Sequence, residues 1–203
     1  NQCPPGLGIA ELREAIAAQR HRRYGQEFDP ENQVLVTVGA SEAIAAAMIG
    51  LVEPGTEVIV IEPYFDTYAP NIAMAGAHRV SVPLVREGRG FALDADAVRA
   101  AITPRTRAMI VNSPHNPTGM VLTDDECGAL AEVAVEADLL VISDEVYERL
   151  TFDGHTHRPL ATYPGMAERT LTISGAAKML NCTGWKLGGA CGTPQLVAGG
   201  RAG

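Results

Sequence analysis

A chain of 203 residues, 46% hydrophobic and 20% charged, is long and apolar enough to bury the core of one large domain. Its net charge of −8 argues against a nucleic-acid or anionic-membrane surface, no apolar run reaches a membrane span, and no basic-then-apolar leader opens it. Its four cysteines, Cys3, Cys127, Cys182 and Cys191, are scattered without metal spacing, which favours a reduced, cytoplasmic setting.

The stretch from Gly8 to Arg23 reads as a helix with Leu12, Ile16 and Ala17 on one face. The β-branched run Val34 to Val38 predicts a strand, which enters Gly39-Ala-Ser41 and an alanine-rich helix through Leu51. Further strands are expected at Val58 to Ile61, Val80 to Val85, Ala108 to Val111, Leu139 to Ile142 and Thr170 to Ile173. Helices are expected at Asp66 to Ala75, at Asp94 to Ile102 with Asp94 as N-cap, and from Thr123, where Glu126 completes a capping box. Both ends, Asn1 and the helix opening after Pro194, are expected to continue in a longer protein.

Strands alternating with helices imply an α/β three-layer sandwich on a mostly parallel sheet. Such sheets bind ligands beyond the carboxyl ends of their strands. Four motifs fall at those ends: Gly39-Ala-Ser41, Asn116-Pro-Thr-Gly119, Asp144 to Tyr147, and Lys178. Their coincidence predicts one shared site.

Each motif has a plainer reading. Lys178, set among small and apolar neighbours, is a surface lysine or an amine that forms a Schiff base with a carbonyl, its pKa lowered by desolvation. Asp144, directly after LLVIS, is a turn residue or a buried carboxylate paired with a ring nitrogen. Tyr147 is a packing residue or points the same way one helical turn on. Gly39-Ala-Ser41 is a simple cap or an anion site at a helix start. Lys186 is a solvated charge or a second phosphate partner, Asn116 a turn residue or a donor to a phenolate, and Phe65 a core aromatic or a ring-stacking one. His155 and His157 lie two apart in a polar loop and read as solvated; no further cluster completes a metal site, so no metal is expected. Ser174 has no His partner for triad chemistry, and no Walker or G-x-G-x-x-G loop is present.

Taken together, NSPHNPTG, SDEVYE, and S-x-x-x-K followed by T-G-W-K make the chain resemble the class I/II aminotransferases from Asn1 to about Ala198. The branch most similar holds the kynurenine aminotransferases and the actinobacterial N-succinyldiaminopimelate aminotransferases. The segments VLVTVGASEAIAAA, AMAGAHRVSVPLV and AAKMLNCTGWK point to the latter.

The resemblance implies the large domain of a fold-type I, pyridoxal-phosphate-dependent transferase. Residues 1–203 would be an incomplete large domain, without the N-terminal arm and the carboxyl-terminal small domain that carries the carboxylate-clamping arginine. It implies a homodimer acting on amino-acid and 2-oxo-acid substrates. Lys178 would carry the cofactor as a Schiff base and shuttle a proton, Asp144 pair with the pyridine nitrogen, and Tyr147 and Asn116 bond its 3′-oxygen. Phe65 would stack on the ring, and Ala40, Ser41 and Lys186 would hold the phosphate. Three positions depart from the family pattern: Cys3 where a tyrosine is usual, Gly175 where a serine precedes the lysine by three, and Gly189 where tryptophan is common. The first two remove phosphate contacts, and the third leaves a void or a loosened wall. A cysteine-conjugate β-lyase shares the same fold and cofactor, and a non-catalytic aminotransferase-like module, such as the effector-sensing domain of a regulator, is the alternative of another class.

Overall fold

The computed structural model describes residues 5–202. In chain order the elements are α1 (Ala10–Tyr24), β1 (Val34–Val38), α2 (Gly39–Leu51), β2 (Glu57–Glu62), α3 (Tyr68–Met74), β3 (His78–Pro83), β4 (Val85–Glu87), β5 (Gly90–Ala92), α4 (Ala95–Ala100), β6 (Thr106–Asn112), α5 (Asp124–Glu136), β7 (Leu140–Asp144), β8 (Thr170–Gly175), α6 (Ala176–Met179), β9 (Leu187–Cys191) and α7 (Pro194–Ala202). Among the described residues no helix is long and apolar enough to cross a membrane.

Seven strands form one sheet in the order β1-β9-β8-β7-β6-β2-β3. The pairs β8–β7, β7–β6, β6–β2 and β2–β3 are parallel, while β9 runs antiparallel to both β1 and β8. The parallel core needs apolar side chains on both faces, because helices cover both. Strand β2 shows this directly. Val58 and Val60 join α2, α3 and α7 in one core, and Ile59 and Ile61 join α4 and α5 in the other. Strand β6 repeats the division, with Ala108 and Ile110 on one side and Met109 and Val111 on the other. Each such Val, Ile or Met side chain contributes about 1.5–3 kcal/mol when fully buried.

The helix starts follow local chemistry. Asp94 accepts from the amides of Asp96 and Ala97, and Thr123 and Glu126 form the reciprocal capping box. The third strand is shifted from the expected span. It pairs with β2 from His78 to Pro83, and Val85 instead opens the separate β4–β5 hairpin.

Helix α1 departs from its apolar reading. Its buried residues are Arg13 and Arg20, whereas Leu12, Ile16 and Ala17 are only half-buried. The arginines go inside because partners wait there: Arg13 donates to the carbonyls of Gly8 and Pro30, and Arg20 meets two buried carboxylates.

Candidate active site

The parallel strands β6, β7 and β8 deliver their last residues to one edge of the sheet. Asn112 ends β6 directly beside Asp144, which ends β7. Asn112 fastens this edge twice: its amide nitrogen donates to the Asp144 carbonyl at 2.9 Å, and its side-chain oxygen accepts from the Asn116 amide at 2.7 Å. The turn-rich loop that follows is thereby fixed with Asn116 at the cleft.

A cleft of about 540 Å³ opens at this edge. Lys178, Asp144, Tyr147, Asn116, Phe65, Ala40, Ser41 and Lys186 all line it, so every candidate residue from the sequence comes to one place. The volume falls in the range of small-molecule sites, roughly 300–1,000 Å³. Lys178 and Lys186 are also the chain's two lysines, and both border this cleft. That rarity was a signal in the sequence that motif reading passed over.

Asp144 is 3% exposed. Tyr68, which sequence reasoning missed, donates its hydroxyl to Asp144 Oδ2 at 2.6 Å, and the Val146 amide approaches Oδ1 at 3.3 Å. Burial outweighs both bonds and pushes the carboxyl up to about 6. The same burial, with Asp144 nearby, raises the Tyr68 hydroxyl far above its ordinary range, so it remains a donor. Tyr147 is also raised, by burial and then by Asp144. A buried acid held by a hydroxyl and an amide is a fit for a cationic ring nitrogen, which would restore the stabilisation of its ionised form.

Helix α2 begins at the opposite wall. Its cap residue is Val38, which offers no side-chain acceptor, so the first amides remain for another anion. Gly39 takes φ +79°, and Gly188 on β9 packs against it: a Cβ at 188 would lie 2.7 Å from the Gly39 carbonyl oxygen and nearer still to its carbonyl carbon and the Ala40 nitrogen. Glycine at 188 lets the strand touch the helix start. Phe65 is half-buried between the cleft and the first core, edge-on to Tyr68 with ring centroids 5.8 Å apart.

The structure decides between the two readings of Lys178's surroundings and corrects the reading of His157. Lys178 is exposed, not enclosed, because α6 is a single turn at the rim of the cleft and Asn181, Thr183, Trp185 and Lys186 after it are exposed as well. His157 is not solvated: its side chain is 3% exposed, and Nε2 lies 3.2 Å from Glu145 Oε2 although out of line for a hydrogen bond. The loop carrying it folds back onto Tyr24, whose ring it meets edge-on. His155 is exposed as expected.

The three departures fare differently. Cys3 lies outside the described residues. Gly175 borders the cleft, and a Cβ there would come 3.1 Å from the Leu187 carbonyl oxygen. A Cβ at Gly189 would come 2.8 Å from the Leu35 carbonyl oxygen, so the spacing of β1 and β9 is set for glycine, and a second, apolar cleft of about 250 Å³ opens beside it.

Comparison with known proteins identifies the family and the fold. The family model "Aminotransferase class I and II" matches residues 1–201. A Mycobacterium tuberculosis protein named "Probable N-succinyldiaminopimelate aminotransferase DapC" is 68% identical over 202 residues, covering 100% of this chain and 51% of the relative. A "Probable aspartate/prephenate aminotransferase" of Thermus aquaticus is 44% identical over 193 residues, covering 95% of this chain and 49% of the relative. The solved structure of N-succinyldiaminopimelate aminotransferase from M. tuberculosis superposes with a TM-score of 0.98 at 68% identity, over 100% of this chain and 53% of that one. The chain thus spans about half the length of the curated relatives it matches.

Proposed function

We propose, from the premise that this chain belongs to the aminotransferase class I and II family, that it serves a pyridoxal-phosphate-dependent transfer of an amino group between an amino acid and a 2-oxo acid. One observation carries the reading: the amine of Lys178 and the buried acid Asp144 border the same cleft as an uncapped helix start. An amine, a buried acid and an anion cradle are the three groups that an aldehyde-bearing pyridine phosphate requires.

When bound there, pyridoxal phosphate would supply an aldehyde that takes up amines and a pyridinium that draws electrons from the substrate's Cα. Lys178 would hold the group through its aldehyde carbon, with water leaving, and, once the substrate's amine has displaced it, its freed amine would carry the proton to and from Cα. Asp144 would hold the ring nitrogen protonated. Tyr147 and Asn116 would bond the ring's phenolic oxygen, and Phe65 would cover one face. The amides of Ala40 and Ser41, the Ser41 hydroxyl and the Lys186 ammonium would hold the phosphate. In this reading residues 1–203 are the cofactor-binding large domain, acting as a homodimer in the cytoplasm. The 68% identity to the M. tuberculosis protein supports N-succinyldiaminopimelate as the amino acid.

The test is a single-turnover assay. Wild type mixed with pyridoxal phosphate and N-succinyldiaminopimelate or glutamate should release the matching 2-oxo acid, and Lys178→Ala should release none. Equal release by both proteins, or no oxo acid from wild type, would refute the proposal.

A further inference from the structure

Outside the cleft, the densest set of buried ionisable groups lies directly beneath the Asp144 turn. Arg20 is 2% exposed, and Glu145 and Glu148 are 0% exposed. Arg20 Nη2 donates to Glu145 Oε2 and Nη1 to Glu148 Oε2, each at 3.0 Å. We infer that Arg20 is a positioning residue that acts through Glu145 and Glu148 to set the Asp144-to-Tyr147 segment against the cleft; the inference rests on the cofactor site proposed above.

The geometry is that of a clamp. The chain turns at this point, with the Glu148 amide bonded to the Glu145 carbonyl at 2.9 Å. Asp144 and Tyr147 therefore share one side of the turn and line the cleft, while Glu145 and Glu148 share the other and meet Arg20. One planar guanidinium bridges both carboxylates, a fork that a point charge cannot reproduce. Its Nε and Nη2 also donate to Gln26 Oε1, at 2.9 and 2.6 Å, which fixes the plane of the fork.

Further donors to these carboxylates tie the turn to neighbouring elements. Ser143 donates to Glu145 Oε1 at 2.9 Å, and Tyr24 to Glu148 Oε2 at 2.8 Å. Ser174, on the strand that leads into Lys178, donates to Glu148 Oε1 at 3.3 Å. The network thus joins α1, the ends of β7 and β8, and the turn that carries two proposed cofactor residues. Glu145 and Glu148 also gather with His157 at a separation short enough for a shared cation. Arg20 already donates to one oxygen of each carboxylate, so the cation seated at this site is the guanidinium.

Three proteins test the inference: wild type, Arg20→Lys, and the charge-compensated Arg20→Met/Glu145→Gln/Glu148→Gln. The compensated variant removes the guanidinium and both carboxylates together, so none of these three is left as a lone buried charge. Readouts are the dissociation constant for pyridoxal phosphate, the absorbance spectrum of the bound cofactor, and the melting temperature of the cofactor-free protein. Arg20→Lys keeps the charge but loses the fork, so it should melt below wild type and bind roughly tenfold to a hundredfold more weakly, more than that loss accounts for, with an altered spectrum. The compensated variant should show the same weakening.

Wild-type affinity and spectrum in either variant would overturn the inference. A loss of affinity only in proportion to a lost melting temperature, in both variants, would overturn it too, since that is a purely structural role. If the compensated variant does not fold, Arg20→Lys decides alone. Wild type that fails to bind pyridoxal phosphate would refute the proposed function and this inference with it, whereas wild type that binds beside unaffected variants refutes this inference alone.

Discussion

Replacing Asp144 by Asn should make the cofactor-free protein more stable at neutral pH while spoiling the proposed site. The carboxyl titrates near 6 in the folded chain because burial penalises its charge, against a reference of 3.8. A raised carboxyl binds its proton more tightly folded than unfolded. Its contribution to stability is therefore complete below the unfolded value and is lost as pH rises to about 6. The difference of about two pH units corresponds to ~3 kcal/mol withheld from the folded state at pH 8. Asparagine carries no charge to desolvate and keeps an oxygen to accept from Tyr68. Urea or thermal melts of wild type and Asp144→Asn, both without cofactor, should differ by about 3 kcal/mol at pH 8, or roughly 6–12 °C for a chain of this size. The gap should close towards pH 4.5. Below that pH a second group takes over: burial alone would raise Glu145, but Arg20 and then His157 outweigh it and hold the carboxyl down to about 2, so its support is lost on acidification. A gap that stays constant from pH 5 to 8, or a variant less stable than wild type at pH 8, would refute the reasoning.

Tyr68→Phe removes the 2.6 Å bond to Asp144. It should cost about 1.5–3 kcal/mol at pH 8, where the acceptor is ionised, and about 0.5–1.5 kcal/mol at pH 5, where it is protonated; equal costs in urea melts at the two pH values would count against the raised carboxyl. Gly188→Ala would drive a Cβ into the Gly39–Ala40 backbone. It should destabilise by about 1–3 kcal/mol and weaken phosphate binding as well; a variant that melts and binds inorganic phosphate as wild type does would show that β9 and the helix start are not held in contact.

What the sequence revealed follows from which signals are local. Strands β2, β6 and β7 were legible because runs such as VIVI, AMIV and LLVI bury both faces and so carry apolar residues without interruption. Strand β9 was not, because Leu-Gly-Gly-Ala-Cys has little strand propensity; its ladders to β1 and β8 hold it, and its glycines answer a backbone contact made far along the chain. The β4–β5 hairpin escaped because it is short and largely exposed. At the site, Lys178, Asp144 and the helix start were readable from their places after strands. Tyr68, Asn112 and Arg20 were not, because each matters through a partner distant in sequence: 76 residues for Tyr68 to Asp144, 32 for Asn112 to Asp144, and 125 for Arg20 to Glu145. The exposure of Lys178 was left open, since small neighbours at 175–177 suit a desolvated amine as well as the rim that they form.

The claim at the centre is that one amine, on α6, faces a cofactor whose ring reaches Asp144. The direct measurement is to add pyridoxal phosphate to the wild-type chain, reduce with borohydride, and map the modified peptides by mass spectrometry. Lys186 is the chain's other lysine and lines the same cleft, so it provides an internal control. The account predicts label on Lys178 with Lys186 unmodified, and the label lost in Lys178→Ala. Label shared between the two lysines, or none on either, would contradict it.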